Sequence, residues 1–433
     1  MSVASSKSFH TKPPHLSAFH MGLFTACFGV ASALYLVPHF FPLHIGTAYI
    51  ILSLLMTSLS LALWKRSSDG ARLELIVSVV LCLYLFFLTP LTSNDSQRYL
   101  WDGAVFLNGF DPYLTAPNDR TVSGLRALWP TPEEHANYPT LYPPGALGLF
   151  GLCALAGPVY GLWVWKALIT VAACVSLVLM HKLLSARGSL KAFSLFAFSP
   201  LLLFEAQAGA HLDIICVLGI IAALYAIEKD RLITAGIIIG CAASVKFLPA
   251  VIIGPFLFYL KPKQAMKLSI SAALTWMSIY SLMFGLGYKP LGLLPVFFEK
   301  WRGGAPLYPI LENLNLAHAQ FLLLLGTLAV IGFSYSAWLA KTGRIDIALM
   351  LSLAIPLLLS PILFPWYLLA LLPIFALKPN VTVFTAITLA PLSYIVLNKW
   401  LSAGVWSPAI WTSSILLLGI LLALFYDIRN ADI

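Results

Sequence analysis

The chain has 433 residues, of which 60% are apolar and only 10% are Asp, Glu, Lys or Arg, and its formal net charge is +9. Together with a mean hydropathy of +0.89, this composition excludes a soluble globular protein and is typical of a polytopic membrane protein. No basic tract is long enough for nucleic-acid binding, so the positive charge indicates membrane topology and contact with anionic lipid head groups. The six cysteines lie in apolar surroundings without CxxC pairs, which favours packing over redox or zinc chemistry.

About fourteen segments of the chain are apolar enough to be candidate membrane spans, for which about 20 residues are needed. Because backbone groups within lipid must hydrogen-bond inside their own segment, these spans are predicted to be helices. The sequence therefore predicts an all-α polytopic membrane protein with about 12–14 transmembrane helices. The first span lacks a small-residue cleavage site and is expected to be a retained helix rather than a signal peptide. The candidate spans are 17–38, 43–64, 73–92, 159–183, 190–206, 211–227, 231–247, 249–261, 265–286, 316–340, 344–362, 365–378, 380–397 and 404–426.

Most Lys and Arg residues fall in alternate short connections, which the positive-inside rule assigns to the cytoplasm. With the N-terminus inside, the two largest breaks between spans, 93–158 and 287–315, are extracytoplasmic. The sequence contains no evident soluble domain, low-complexity tract or internal repeat. Residues 1–433 are therefore predicted to form a single transmembrane domain with two large outer loops that carry amphipathic helices.

The first outer loop contains a polar, aromatic and acidic segment, NDSQRYLWDGAVFLNGFDPYLTAPND, between Asn94 and Asp119. Carboxylates at a membrane boundary are candidates for function because a charge there needs a partner or water. Asn94 is a good helix N-cap, with Gln97 three residues later, and Asn108-Gly109 supplies a stop signal. These signals predict a short helix over 95–107.

Three side chains of this helix, Asp95, Tyr99 and Asp102, are spaced to share one face. Asp95 lies in the first turn, where the helix dipole favours the ionised form that a base requires, although a helix start alone also explains an aspartate there. Asp102 follows Arg98 by four residues, so an ordinary helix-surface ion pair is the alternative to a role in a site. Tyr99 and Trp101 are amphipathic aromatics that predict a helix lying on the membrane surface.

The proline-rich run YPTLYPP over 138–144 leads into a short apolar segment near 145–157. Proline-rich backbone resists helix formation, so this lead-in is expected to be rigid. The apolar segment is too short to cross a membrane and is expected to be a re-entrant or interfacial helix. We assign the proline-rich run to architecture, with aromatic stacking against a sugar or a lipid tail as the alternative.

Ionisable residues recur at the outer ends of later spans. The sequence EAQAGAHLD gathers Glu205, His211 and Asp213 around small residues that let backbones approach closely. A buried Glu–His pair that joins two helices is as compatible with this pattern as an active site. Lys246 ends another span, and Arg302 belongs to an EKWR cluster in the second outer loop. Because all of these groups are predicted on one membrane face, they indicate a site there, with cations suited to a phosphate.

Taken together, these motifs resemble those of the polyprenyl-phosphate-sugar-dependent glycosyltransferases of the C superfold, especially the mannosyltransferase-like members of glycosyltransferase family 87. The resemblance covers about 94–370 and consists, in family order, of NDSQRYLWDG, GFDPY, the LYPP run, the E-x5-H-x-D corner at Glu205–Asp213, Lys246 and SPILFPWYLL. By itself SPILFPWYLL is typical of an aromatic anchoring belt. The chain departs from some relatives in lacking a D-x-D pair, and no metal or other cofactor is expected.

The resemblance implies an integral-membrane enzyme that moves a sugar, with mannose favoured, from a polyprenyl-phosphate donor to a glycan, lipid or protein acceptor on the outer face. It implies Asp95 as the general base of a single inverting displacement, and a bacterial inner (plasma) membrane as the location. A positioned base typically contributes about 10²–10⁴-fold, and the departing phosphate needs cations or hydrogen-bond donors. The expected substrate-binding residues are Arg98, Tyr99, Asp102, Glu205, His211, Asp213, Lys246 and Arg302.

Two other classes of membrane protein are weighed against this interpretation. A transporter or flippase of an anionic lipid or sugar places its site near the bilayer midplane between related halves, whereas the ionisable residues here gather at one face. A polymerase or ligase of lipid-linked glycans also acts on the outer face, but its expected signature is a large outer loop rich in Arg and His. The loop 287–315 is too modest for that signature.

Overall fold

The computed structural model describes residues 18–66, 70–91, 93–290 and 292–430. Within these ranges the chain forms α-helices and no strand, and Gly303 and Ile362 make one isolated β-bridge. The helices are α1 (Ala18–Phe40), α2 (Ile45–Arg66), α3 (Ala71–Leu85), α4 (Asp95–Leu107), α5 (Ser123–Leu128), α6 (Pro144–Ala154), α7 (Gly157–Ala186), α8 (Phe193–Ala197), α9 (Asp213–Glu228), α10 (Leu232–Val245), α11 (Ile253–Tyr259), α12 (Pro262–Gly285), α13 (Leu294–Lys300), α14 (Tyr308–Glu312), α15 (His318–Lys341), α16 (Ile345–Leu359), α17 (Leu372–Leu377), α18 (Val381–Leu389), α19 (Ile395–Ala403) and α20 (Ile410–Asn430).

The predicted class, an all-α polytopic membrane protein, is confirmed. Seven helical stretches in the described ranges are long and apolar enough to cross a membrane. Other predicted spans are shorter or broken. The span predicted at 190–206 is α8 followed by a wider π-helical turn at Leu201–Ala208, and Pro200 between them has no N–H to continue an α-helix. The seven stretches are Ala18–Phe40, Ile45–Lys65, Gly157–Ala186, Pro262–Gly285, His318–Lys341, Val381–Ala403 and Ile410–Asn430.

The helix predicted over 95–107 is confirmed as α4, but two details of that prediction are wrong. The Asn94 side chain makes no capping hydrogen bond, and the amide of Asp95 donates to Ser93 Oγ at 3.0 Å instead. Tyr99 is 2% exposed and Trp101 is fully buried, so these aromatics face the protein core rather than the lipid head groups. For Tyr99 the reason is that α6 and α7 pack against α4, where its ring contacts Phe150 and Trp165.

The segment predicted as a re-entrant or interfacial helix forms α6, which packs between α4 and α10. Glycines allow α6 to approach both α4 and α10 closely. A Cβ added at Gly103 of α4 would overlap the carbonyl oxygen of Phe150, and one added at Gly145 of α6 would overlap Ser244 of α10. The ring of Tyr99 stacks on Phe150 with centroids 4.7 Å apart. Close backbone packing of α4 against α6 therefore fixes the beginning of α4 in space.

The second outer loop lies against both the first loop and the SPILFPWY segment. The amide of Leu363 donates to the carbonyl oxygen of Gly303 at 2.8 Å, and Gly304 has a positive φ of 63° that favours glycine. A Cβ at Gly304 would overlap the carbonyl oxygen of Leu363. The amide of Leu293 reaches the carbonyl oxygen of Thr140 at 3.4 Å. These contacts bring the EKWR cluster beside α4.

We predict that Gly103→Ala lowers the stability of the protein, because the added methyl group forces α4 away from α6. Overpacking of this kind typically costs about 1–3 kcal/mol. Thermal unfolding in one detergent, followed by circular dichroism, measures the effect. Gly148→Ala, on α6 with nothing within 4 Å of its added Cβ, is the matched control and is expected to be neutral or stabilising. Equal melting temperatures for the two variants would contradict the packing account.

Candidate active site

Three predicted site residues, Asp95, His211 and Glu205, meet at one end of the helical bundle. The ring of His211 lies between the two carboxylates, with Nδ1 3.7 Å from Asp95 Oδ2 and Nε2 3.8 Å from Glu205 Oε2. His211 is fully buried and Glu205 is 2% exposed, whereas the Asp95 side chain retains 21% exposure. Neither ring nitrogen of His211 has a hydrogen-bond partner among the described residues. Asp95 is thus the solvent-facing member of a buried acidic and imidazole cluster.

The backbone around His211 is irregular, and this irregularity places the ring. The π-helical turn Leu201–Ala208 is followed by Ala210, which adopts a positive φ of 54°. Such conformations are unfavourable for alanine and recur at functional sites. The indole N–H of Trp165 donates to the carbonyl oxygen of Ala210 at 2.9 Å, and the ring of Trp366 stacks on His211 with centroids 4.0 Å apart. Trp165 therefore holds the backbone of this turn, and Trp366 holds the imidazole ring.

Glu205 is tied to two distant helical segments through tyrosine hydroxyl groups. Tyr49 of α2 donates to Oε1 at 3.3 Å, and Tyr394 donates to Oε2 at 2.7 Å. The rings of Tyr49 and Tyr394 also pack edge to face, with centroids 4.8 Å apart. A buried carboxyl group needs such hydrogen bonds because it has left water. Glu205 consequently has a fixed orientation toward His211.

The carboxylate oxygen of Asp95 that faces His211 also contacts a buried tyrosine. Tyr99, one turn along α4, places its hydroxyl group 3.4 Å from Asp95 Oδ2. Tyr142 packs edge to face against Tyr99 at 5.2 Å. Burial raises the pKa of both phenols well above the usual range, so they remain protonated hydroxyl groups near the carboxylate. The environment of Asp95 therefore combines hydroxyl donors with an imidazole.

Asp102 faces a different environment from Asp95. Its Oδ1 accepts from Arg98 Nε at 2.8 Å, and its Oδ2 accepts from Thr140 Oγ1 at 2.7 Å, with both members of the ion pair buried. The pair is thus buried rather than on the helix surface, and the hydroxyl bond ties α4 to the YPTLYPP run. These contacts support the assignment of the run to architecture. They give Asp102 the role of orienting Arg98 and the loop.

Lys246 and Asp213 form a short ion pair of 2.6 Å between Nζ and Oδ1. The Lys246 ammonium also lies 4.3 Å from the centroid of the Tyr367 ring. Tyr367 in turn packs against Trp366, the ring that stacks on His211. This pair therefore adjoins the cluster but lies outside the residues that line the two cavities described next. That Lys246 and Asp213 bind substrate stays a prediction.

Two cavities meet at Asp95. The larger, of about 450 Å³, is bounded by the ends of α2 and α4, by α19 and by the second outer loop. The smaller, of about 30 Å³, is lined by Arg98, Tyr142 and aliphatic residues of both outer loops. Asp95, Tyr138 and Trp301 line both. Side chains of Asp95 and of two aromatic residues thus separate a large cavity from a small one.

The second outer loop supplies cations to the larger cavity. Arg302 lines it, but its guanidinium group pairs with Glu312 at 2.9 Å and lies over the ring of Tyr308. Lys300 also lines it, is exposed, and forms no ion pair among the residues that the structure describes. Both residues belong to the EKWR cluster, of which the sequence analysis predicted only Arg302 as a substrate-binding residue. The geometry makes Lys300 the more available cation.

Sequence reasoning missed the residues that support the acidic cluster. Trp366 was assigned to an anchoring belt, yet it is 7% exposed and stacks on His211. Tyr49 and Tyr394 lie inside apolar spans without any motif, and each reaches Glu205 from more than 150 residues away. Thr140 was only part of a proline-rich run. A polar atom within an apolar span is the one signal that marked the two tyrosines.

Comparison with protein families identifies the family of this chain. A family model described as alpha-(1->6)-mannopyranosyltransferase, N-terminal domain, matches residues 18–261, which is more than half of the chain. The chain belongs to this family. Searches of curated proteins and of solved structures gave no match. The resemblance inferred from the sequence motifs is confirmed, and the protein is an integral-membrane glycosyltransferase, specifically a mannosyltransferase.

The matched region of this mannosyltransferase ends with α11 and contains Asp95, Glu205, His211 and Lys246. The second outer loop, with Arg302, lies beyond it. Metal independence stays a prediction, although no group of three or more His, Cys, Asp or Glu in the described ranges has an arrangement suited to a metal ion. The family description leaves the donor, the acceptor and the roles of individual residues to be proposed.

Proposed function

We propose that this mannosyltransferase moves mannose from a polyprenyl-phosphate donor to an acceptor hydroxyl group at the extracytoplasmic face, with Asp95 as the general base. The observation that carries the proposal is the position of Asp95 in the walls of both cavities. In a transfer reaction the base must contact the acceptor hydroxyl group while that group faces the anomeric carbon of the donor, so the two substrates must meet beside the base. The family description favours a glycan acceptor with an α-(1→6) linkage over a lipid or a protein.

The larger cavity suits the donor. Aliphatic side chains of Ile45, Val396 and Leu397 line one part of it, which fits a prenyl chain. Lys300 and Arg302 line another part, and cations there are suited to the phosphate. Because Lys300 has no ion pair within the described residues and Arg302 pairs with Glu312, we assign the principal phosphate contact to Lys300.

The smaller cavity suits the reacting end of the acceptor. Its volume of about 30 Å³ admits little more than a hydroxyl-bearing group, and Arg98 and Tyr142 are the polar residues beside Asp95. Trp301 and Tyr138 form the boundary between the two cavities, with ring centroids 5.9 Å apart. Aromatic rings of this kind present flat apolar faces with a polar edge. They suit the faces of a sugar ring that is held between the donor and the acceptor positions.

In the proposed step, the acceptor oxygen attacks the anomeric carbon of mannose from the face opposite the phosphate. The acceptor O–H proton passes to the Asp95 carboxylate as the new C–O bond forms. The bond between the anomeric carbon and the phosphate oxygen breaks, and the polyprenyl phosphate leaves with the electron pair, stabilised by Lys300. A single displacement inverts the configuration, so a β-linked phosphate gives an α-linked mannoside.

Two observations favour transfer over transport. The acidic cluster and both cavities lie among helix ends and outer loops, whereas secondary transporters bind substrate near the bilayer midplane. The family membership is that of a transferase. A lipid-linked glycan polymerase or ligase shares the outer face, and the identity of the transferred group separates it from this proposal, because a polymerase transfers a preassembled glycan rather than one mannose.

We predict that Asp95→Asn abolishes mannose transfer, because the nearly isosteric amide cannot accept the proton. The assay uses purified enzyme in liposomes, radiolabelled polyprenyl-phosphate mannose and a short α-(1→6)-linked mannose oligosaccharide. Asp102→Asn is the matched control on the same helix. It is expected to retain measurable turnover while lowering the melting temperature, because it weakens the buried pair with Arg98. Turnover of Asp95→Asn above about a tenth of the wild-type value would contradict a general-base role.

We further predict that Lys300→Met raises the apparent KM for the donor about tenfold or more, because it removes a charge-assisted contact with the phosphate. Lys289→Met, an exposed lysine in the same outer loop but outside both cavities, is the matched control and should behave as wild type. Steady-state rates at varied donor concentration measure both variants. A donor KM that is unchanged in Lys300→Met would remove this residue from the phosphate site.

If the active site faces the outside of the cell, a cysteine introduced in the first outer loop should be labelled from outside. A cysteine introduced at the other end of α7 should not be. Ser123→Cys, in the first outer loop, should react with an impermeant maleimide in intact cells, whereas Ser185→Cys, at the opposite end of α7, should react only after permeabilisation. Both are made with Cys241→Ser, which removes the exposed native cysteine. The reverse labelling pattern would place the active site on the cytoplasmic side.

A further inference from the structure

The imidazole of His211 is a buried polar group that the proposed transfer step leaves unused. Its two nitrogens have no hydrogen-bond partner among the described residues, although an unpaired buried donor or acceptor destabilises a fold. The turn that carries His211 also contains the unfavourable positive φ of Ala210. A fold that keeps two unfavourable features side by side has a reason to place this ring where it is.

The ring position relative to Asp95 and Glu205 suggests that reason. The two nitrogens face one carboxyl group each, at 3.7 Å and 3.8 Å, which is less than 1 Å beyond ordinary hydrogen-bond distance. Small closing movements of this kind occur when a substrate binds, and catalytic hydrogen bonds are often long before it does. The Nδ1–H group then donates a hydrogen bond to Asp95 Oδ2, and Nε2 accepts one from the protonated carboxyl group of Glu205.

The remaining contacts allow the ring little freedom to do anything else. Trp366 covers one face of it with an interplanar angle of 14°. Glu205 is held by hydroxyl groups of Tyr49 and Tyr394, so it presents its Oε2 to Nε2 in one orientation. Oriented bases elsewhere follow the same logic, in which a third group fixes the residue that touches the base.

We propose that His211, held by Glu205 and Trp366, is a positioning residue that orients the Asp95 carboxylate toward the acceptor hydroxyl group. This inference rests on the proposed role of Asp95, and it gives His211 a positioning role in place of the substrate-binding role expected from the sequence. Oδ2 also accepts from the Tyr99 hydroxyl group at 3.4 Å, so the imidazole and the phenol hold the same carboxylate oxygen. Misplacement of a catalytic group by about 1 Å can reduce the rate about 10²-fold.

Three variants at one position test the proposal. His211→Phe keeps a ring on Trp366 and removes both nitrogens, so its kcat should fall about 10²-fold while the donor KM changes less than about threefold. The amide nitrogen of asparagine occupies nearly the place of Nδ1, and that of glutamine nearly the place of Nε2. His211→Asn should therefore recover a large part of kcat, and His211→Gln should not.

The outcomes separate this proposal from its competitors. A donor KM that rises in His211→Phe with little change in kcat would overturn the positioning role and indicate that His211 binds the donor. Equal activity of the asparagine and glutamine variants, or wild-type kcat in His211→Phe while Asp95→Asn is inactive, would overturn the positioning role and leave the proposed function intact. Loss of folded protein in His211→Phe leaves the asparagine and glutamine variants, both polar amides, to decide.

A structural readout keeps the inference independent of the donor. If the wild-type enzyme does not use polyprenyl-phosphate mannose, the proposed function fails, and the positioning role is judged from the Asp95 side chain itself. High-resolution structures of His211→Phe and His211→Asn should show Asp95 turned away from its wild-type rotamer in the first and retained in the second. An unchanged Asp95 rotamer in His211→Phe would overturn the inference.

Discussion

The functional end of this mannosyltransferase depends on the contact between the beginning of α4 and the turn that carries His211. A carboxylate in a largely apolar protein is stable only with hydrogen-bond donors or water. Asp95 has Tyr99, His211 and an open cavity around it. The other members of the cluster are buried, so Asp95 is the carboxylate of the cluster that solvent reaches, and the proposed chemistry depends on that asymmetry.

Two other aspartates near the cluster are held in ion pairs within the protein. Asp102 is paired with Arg98 one turn away on α4, whereas the pair of Asp213 and Lys246 joins the beginning of α9 to the end of α10. Breaking such pairs leaves an uncompensated charge, which makes them permanent parts of the structure. Asp95 lies 3.7 Å from the buried imidazole of His211 and lines both cavities, which is the position that the proposed general base requires.

Local sequence signals predicted the helical class, the bounds of α4 and the gathering of Asp95, Glu205 and His211, because caps, apolar length and helix ends are local properties. The burial of Tyr99 was not predictable, since the helix α6 that covers its ring is encoded about 50 residues later. The stacking of Trp366 on His211 is a contact across 155 residues, which no spacing rule in one sequence reveals. Long-range packing therefore decided which aromatic residues belong to the site.

The most direct test of the account is a structure of the enzyme in lipid nanodiscs with a bound polyprenyl phosphate. The account predicts density for the phosphate in the larger cavity, within ion-pair distance of Lys300, with the prenyl chain along Ile45 and Leu397 and with Asp95 facing the position of the sugar. A phosphate bound among the helices near the bilayer midplane, away from Asp95, would contradict the proposed donor site and favour transport.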